Sequence, residues 1–309
     1  MATGSVNGST AQRFSPQWAL VALVTWLALA LAHLRFSIWL VTPRETPWGL
    51  LPLSTWVPHV SLAAASALIA SLMWQLRRGP RPWVTAGFWL LWGAAVVAQD
   101  RFLTFSFNEY AHYPQYALIA WLVARAVDPG KDQWPIVRIL FWTTLLGAID
   151  EVMQYLWITA SYSDYVDFND FLVNLVSAAA GVLIYYGAAQ SPTKHPVWGL
   201  RPEWTATGMI ALAVAAGFAS GRLAHTPEGR VPNGGVLLTG EGPVLYLQRG
   251  PAFYGAWQAG PRHGQYYVLQ PWEGLGLMLA AAILFGAARQ TTRESAGEPP
   301  SRSPESRAG

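Results

Sequence analysis

The chain has 309 residues, 52% of them hydrophobic and 12% charged, with a net charge of +3, 17 Trp and no Cys. That charged share is about half of what a soluble domain carries, and without Cys there are no disulfides, thiolate metal sites or cysteine nucleophiles. Long apolar stretches with aromatic-rich ends instead predict an all-α polytopic transmembrane helix bundle of about eight spans, with a small extracytoplasmic β-rich segment.

In chain order, residues 1–16 are polar and read as a disordered tail, and apolar spans follow near 17–40, 58–76 and 83–100, making 17–104 an N-terminal transmembrane unit. The first span runs on to Trp39 and Val41. That is too long for a secretory h-region, so the helix is expected to stay uncleaved. Spans near 112–127, 137–157 and 168–189 form a core over 105–190. Pro114 falls in the first turn of the fourth span, where a missing N–H costs little. A seventh span near 205–223 closes the 191–223 unit, and a last one near 274–288 occupies 273–289 before a low-complexity tail, 290–309.

Arg77, Arg78, Arg81, Arg125, Lys131, Arg138, Lys194 and Arg201 sit in or beside alternate short loops, and Arg289 and Arg293 follow the last span. The positive-inside rule then places both termini in the cytoplasm of a bacterial inner (plasma) membrane crossed many times. Segment 224–272 falls outside, where Val236–Thr239, Val244–Gln248, Ala252–Trp257 and Gln265–Leu269 alternate with Gly and Pro turns and read as strands.

Against this apolar background the polar residues fall at one depth. Asp150, Glu151 and Gln154 lie in the outer half of the fifth span, Glu109 and His112 at the outer start of the fourth, and Asp167, Asp170 and Asn174 at the start of the sixth. A charge at mid-span costs roughly 2.5–3.5 kcal/mol on insertion scales, and such residues are retained for function or pairing. Asp150 and Gln154 are four apart and share a helix face with Gly147, and Asp170, Asn174, Ser177 and Gly181 form a stripe suited to close helix approach.

The blocks "NEYAHYPQY", "GAIDEVMQ" and "DFNDFLVNLVSAAAG" resemble the VanZ-like membrane proteins. That family shows E-x-x-H followed by a polar residue and Tyr, matched by Glu109, His112, Gln115 and Tyr116. It then shows G-x-x-D/E-E-x-x-Q, matched by Gly147, Asp150, Glu151 and Gln154, and D-x-x-x-N with small residues, matched by Asp167, Asp170, Asn174 and Gly181. Asp164 stands where the family often has Arg, removing a cation that would balance the carboxylates, and Ser177 replaces a Gly. The match covers about 105–185. The resemblance implies a cell-envelope protein without a settled activity. The founding member is associated with low-level resistance to teicoplanin, a glycopeptide that binds cell-wall precursors.

The favoured reading is a non-catalytic envelope protein whose outer-leaflet polar pocket, made of Glu109, His112, Gln115, Asp150, Glu151, Gln154, Asp167, Asp170 and Asn174, holds a membrane lipid or a cell-wall precursor. The alternative is a membrane enzyme acting on a lipid-linked or head-group substrate, with His112 and the carboxylates in acid–base roles. No nucleophile motif or phosphate-cradling Gly loop favours it, and no inverted repeat favours a proton-driven transporter. Glu109-x-x-His112 has metal-ligand spacing that Asp150, Glu151 and Asp170 would complete, but there is no second such motif and no H-E-x-x-H. No metal or cofactor is therefore expected, nor nucleic acid, since the Arg residues are dispersed.

Overall fold

A computed structural model of the chain describes residues 14–41, 44–46, 49–51, 56–78, 82–105, 107–131, 133–158, 166–186, 201–225, 238–239, 242–248, 254 and 257–286. Residues 1–13 and 290–309 of the expected tails lie outside them, as does Asp164. The chain is mostly helical with few strands. The helices are α1 (Pro16–Val41), α2 (Trp56–Arg78), α3 (Pro82–Phe102), α4 (His112–Val127), α5 (Ile136–Met153), α6 (Phe168–Tyr186), α7 (Arg201–Ala219) and α8 (Pro271–Gly286).

These eight follow the eight apolar stretches in order. Among the described residues, however, only α6 is long and apolar enough by itself to cross a membrane, and 78% of it is buried inside the fold. Several of the others fall short for local reasons. α4 and α8 have 16 residues each, against the ~20 that span a bilayer core. α5 carries Arg138, Asp150 and Glu151 within 18 residues. α7 starts four residues before its expected span, with Pro202 in its first turn, and ends at Ala219, ahead of a turn at Gly221 whose φ of +69° suits glycine.

α6 is the central helix, and α3, α4, α5 and α8 pack around it. Its inner stripe is small because its neighbours come close. A Cβ added at Gly181 would lie 2.1 Å from the Ala117 carbonyl oxygen of α4, and one at Gly147 would lie 3.0–3.3 Å from the Asn174 side chain. Ile119, Ile139, Leu140, Leu175, Ala178 and Val182 fill the core between α4, α5 and α6. Indole N–H groups tie in the flanking helices: Trp26 of α1 donates to the Leu146 carbonyl and Trp92 of α3 to that of Val176, each at 3.0 Å. α7 is held at its start by the Arg138–Glu203 ion pair (2.6 Å), with Trp142 Nε1 donating to the same carboxylate.

The loop from α4 to α5 is organised by one buried acid. Asp128 Oδ2 accepts from the Gln133 and Trp134 amides and the Tyr186 hydroxyl. In the same loop Lys131 donates to the Tyr185 carbonyl at 2.5 Å, and burial pushes its ammonium below the usual lysine range.

The strands are shorter than the sequence suggests. β1 (Arg44–Thr46) and β2 (Gly49–Leu51) form an unexpected antiparallel pair between α1 and α2. In the 224–272 segment, β4 (Leu238–Thr239) pairs with β5 (Gly242–Pro243), and β7 (Gln258–Gly260) with β8 (Gly264–Tyr266), both antiparallel. β6 (Leu245–Tyr246) instead runs parallel to β3 (Leu223–Ala224), directly after α7. Most of the expected 252–257 strand lies outside the described residues, and of the expected 265–269 strand only Gln265 and Tyr266 pair, in β8, which starts at Gly264 with φ +80°. From Tyr267 the backbone binds outward: its amide donates to the Phe102 carbonyl at 2.6 Å.

This segment sits on the end of the bundle where α3 stops and α6 starts. Asn169, 2% exposed, donates to the Leu103 and Tyr267 carbonyls and accepts from the Leu269 amide. The Val166 amide donates to the Tyr246 carbonyl. Asp100 at the end of α3 accepts from Tyr110, Arg262 and His263, so the hairpin turn is clasped to the bundle. Burial, then the bond to Asp100, holds the Tyr110 phenol above its usual range.

Candidate functional site

The site forms beneath that 224–272 segment, where α4, α5 and α6 converge. His112 opens α4. Its Nδ1 lies 2.8 Å from Asn174 Oδ1, while Asn174 Nδ2 donates to Glu151 Oε1 at 3.4 Å. An amide that gives its N–H to a carboxylate offers its oxygen to the imidazole. The proton therefore sits on His112 Nδ1 and the ring lone pair on Nε2. The His112–Glu151 separation is 3.8 Å. Tyr116, one turn along α4, stacks on the His112 ring at 6.0 Å and 14°.

Asp150 faces α4 on the next position of α5. Its Oδ2 accepts from the Tyr116 hydroxyl at 2.6 Å and from Gln115 Nε2 at 3.2 Å. Its Oδ1 and Gln115 Oε1 are buried with no hydrogen-bond partner. Asp150 and Asn174 are 0% exposed. Buried polar atoms left unmet cost about 1–3 kcal/mol each, so orphans at this depth call for explanation. Just beyond Met153 the helix loosens into a single π turn, Gln154–Ile158, a distortion frequent at functional sites.

Asp170, in the first turn of α6, completes the group. Ligand atoms of His112, Glu151 and Asp170 all lie within 4.8 Å of one another. Asp150 is close enough to act electrostatically on all three. Asp170 is half-buried.

Of the nine residues read from the sequence, His112, Gln115, Asp150, Glu151, Asp170 and Asn174 come together here. Gln154 is half-buried in the π turn alongside. Glu109 and Asp167 bind backbone amides, and Asp167 is also close enough to act electrostatically on His112 and Glu151. Glu109 accepts from the Phe105 amide with both oxygens, because it lies in a 3-10 turn (Phe107–Ala111) that breaks phase with α4. Asp167 Oδ1 accepts from the Asn169 amide and caps α6. Ser177 satisfies itself on the Val173 carbonyl, so it belongs to helix packing.

The sequence reading did not single out Asn169. Nor did it single out His263, whose Nε2 lies 3.1 Å from Asp100. No local pattern signals either, since their partners come from distant loops.

No family model, no curated protein and no solved structure matches the chain. The likeness to VanZ-like proteins is therefore carried by its three short blocks.

Proposed function

We propose that the chain is a multi-pass protein of the bacterial inner membrane, VanZ-like in character. In this reading it is not an enzyme. It binds, at the outer leaflet, the polar head of a membrane lipid or cell-wall precursor, and it contributes to glycopeptide tolerance of the teicoplanin type. The observation that carries this reading is an inverted distribution of polarity. Six polar side chains converge inside the bundle, while α1, α3, α7 and α8 turn Leu, Ile and Trp outward; Leu90 and Leu212, for example, are 74% and 71% exposed. Contiguous apolar surface on that scale suits lipid rather than water.

In this arrangement the short helices tilt little and the aromatic ends lie at the interfaces. The unmet acceptors on Asp150 and Gln115 suit a ligand rich in N–H and O–H donors, as sugar and peptide head groups are.

Two measurements test the reading. A reporter active only in the cytoplasm should be silent when fused at Gly240 and active when fused after Arg78; activity at Gly240 overturns the topology. In a strain lacking the protein, the wild-type chain should restore glycopeptide tolerance and Asp150→Asn should not. Full restoration by Asp150→Asn overturns the binding role.

A further inference from the structure

We infer that His112, Glu151 and Asp170 form a binding site for one divalent first-row transition-metal ion. This goes beyond head-group recognition and stands without it. The three side chains come from three different helices, yet their ligand atoms lie within 4.8 Å of one another. Closing them onto an ion at bonds of about 2.0–2.2 Å asks each side chain to move by roughly 1 Å.

The ligand set selects the ion. One imidazole with two carboxylates, in a chain that has no Cys, suits Zn2+ or Mn2+ better than Mg2+ or Ca2+, which prefer all-oxygen cages. The surroundings are those of a prepared site. Asn174 accepts from His112 Nδ1 and donates to Glu151, so one buried amide orients two ligands. Metal-bound His characteristically carries such a partner on its other nitrogen.

A second observation points the same way. Asp150 Oδ1 is wholly buried and accepts no hydrogen bond, beside a trio that already holds two carboxylates. Among the described residues, the Arg ion pairs go to Glu203 and Asp100, away from this cluster. Carboxylates gathered in a low-dielectric interior without a cation repel one another, and a bound divalent ion removes that repulsion. The expected Glu109-x-x-His112 pairing has no part, since Glu109 is turned to Phe105.

The test uses the full chain purified in detergent, stripped with a chelator and dialysed against ZnCl2 or MnCl2, with metal content and unfolding temperature both read. Wild type should retain about one ion per chain and unfold at a higher temperature when loaded. Asp170→Asn should lower affinity at least tenfold while keeping the apo unfolding temperature, because Asp170 is half-buried and makes no hydrogen bond that would be lost. Asn174→Ala should weaken binding by about 10–100-fold, and Glu109→Gln should bind as wild type does. A wild-type chain that holds no stoichiometric ion overturns the site, as does equal affinity in Asp170→Asn. Metal binding that survives alongside full restoration of tolerance by Asp150→Asn would sink the head-group reading and leave this one standing.

Discussion

Replacing Asp150 separates a polar requirement from a charge requirement. Asp150 is 0% exposed, and one of its oxygens takes hydrogen bonds from the Tyr116 hydroxyl at 2.6 Å and Gln115 Nε2 at 3.2 Å, while the other takes none. Asn keeps the size and keeps one acceptor for both donors. Its NH2 takes the place of the unmet oxygen, so the folded state loses no bond and sheds a costly buried charge. Leu is also similar in volume but strands two buried donors, each costing about 1–3 kcal/mol, so Asp150→Leu should lose roughly 2–6 kcal/mol. Purified variants compared by thermal unfolding in detergent should rank wild type and Asp150→Asn together, with Asp150→Leu well below. If Asp150→Leu is as stable as wild type while Asp150→Asn unfolds, Tyr116 and Gln115 do not depend on this acceptor and the convergence of α4 on α5 has another cause.

Gly181→Ala should destabilise by about 1–3 kcal/mol, because the new methyl meets a backbone oxygen at 2.1 Å and α4 must back away from α6; Gly208→Ala, which meets nothing within 4 Å, should be neutral or stabilising in the same unfolding assay. Asn169→Ala removes two hydrogen bonds between α6 and the 224–272 segment and one to the Leu103 carbonyl beyond α3, and should speed amide exchange at Leu269 at least tenfold while leaving the Leu140 amide unchanged.

How much of this was legible in the sequence depends on the range of the interaction. The helices follow from apolar stretches bounded by Pro, Gly and charged residues, which are local signals, and all eight fall near their expected positions. The meeting of His112, Asp150, Glu151 and Asn174 was also readable, since helical spacing puts Asp150 one turn beyond Gly147 and Asn174 one turn beyond Asp170. Glu109 is taken up by the Phe105 amide from within a 3-10 turn, whose tighter winding does not continue the phase of α4. Asp167 both caps α6 and acts electrostatically on His112 and Glu151, since a carboxylate at a helix start is as well used by the backbone as by a neighbouring group. Nor could a pattern reveal that Leu245–Tyr246 pairs in parallel with Leu223–Ala224, or that His263 meets Asp100 across 163 residues. Those contacts are decided by how the outer segment folds back, and alternation of side chains says nothing about which backbone it will find.

The same long-range contacts bear on the site more than its own helices do. Asn169 and Asp170 are neighbours in the first turn of α6, one fastened to the Leu103, Tyr267 and Leu269 backbone and the other placed toward His112 and Glu151. A helix start is held by few intrahelical bonds, so the position of Asp170 is set by what grips that turn from outside. Asp167 caps it, Asn169 ties it to the outer segment, and the Asp100–Arg262–His263 clasp ties that segment to α3. Four residues further on, Asn174 is fixed by close packing against Gly147. One helix thus carries a ligand set by tertiary docking and a ligand orienter set by core packing, and the two must agree for the cluster to close. It follows that loosening the outer segment would degrade the site at Asp170 first and leave the His112–Asn174–Glu151 chain in place.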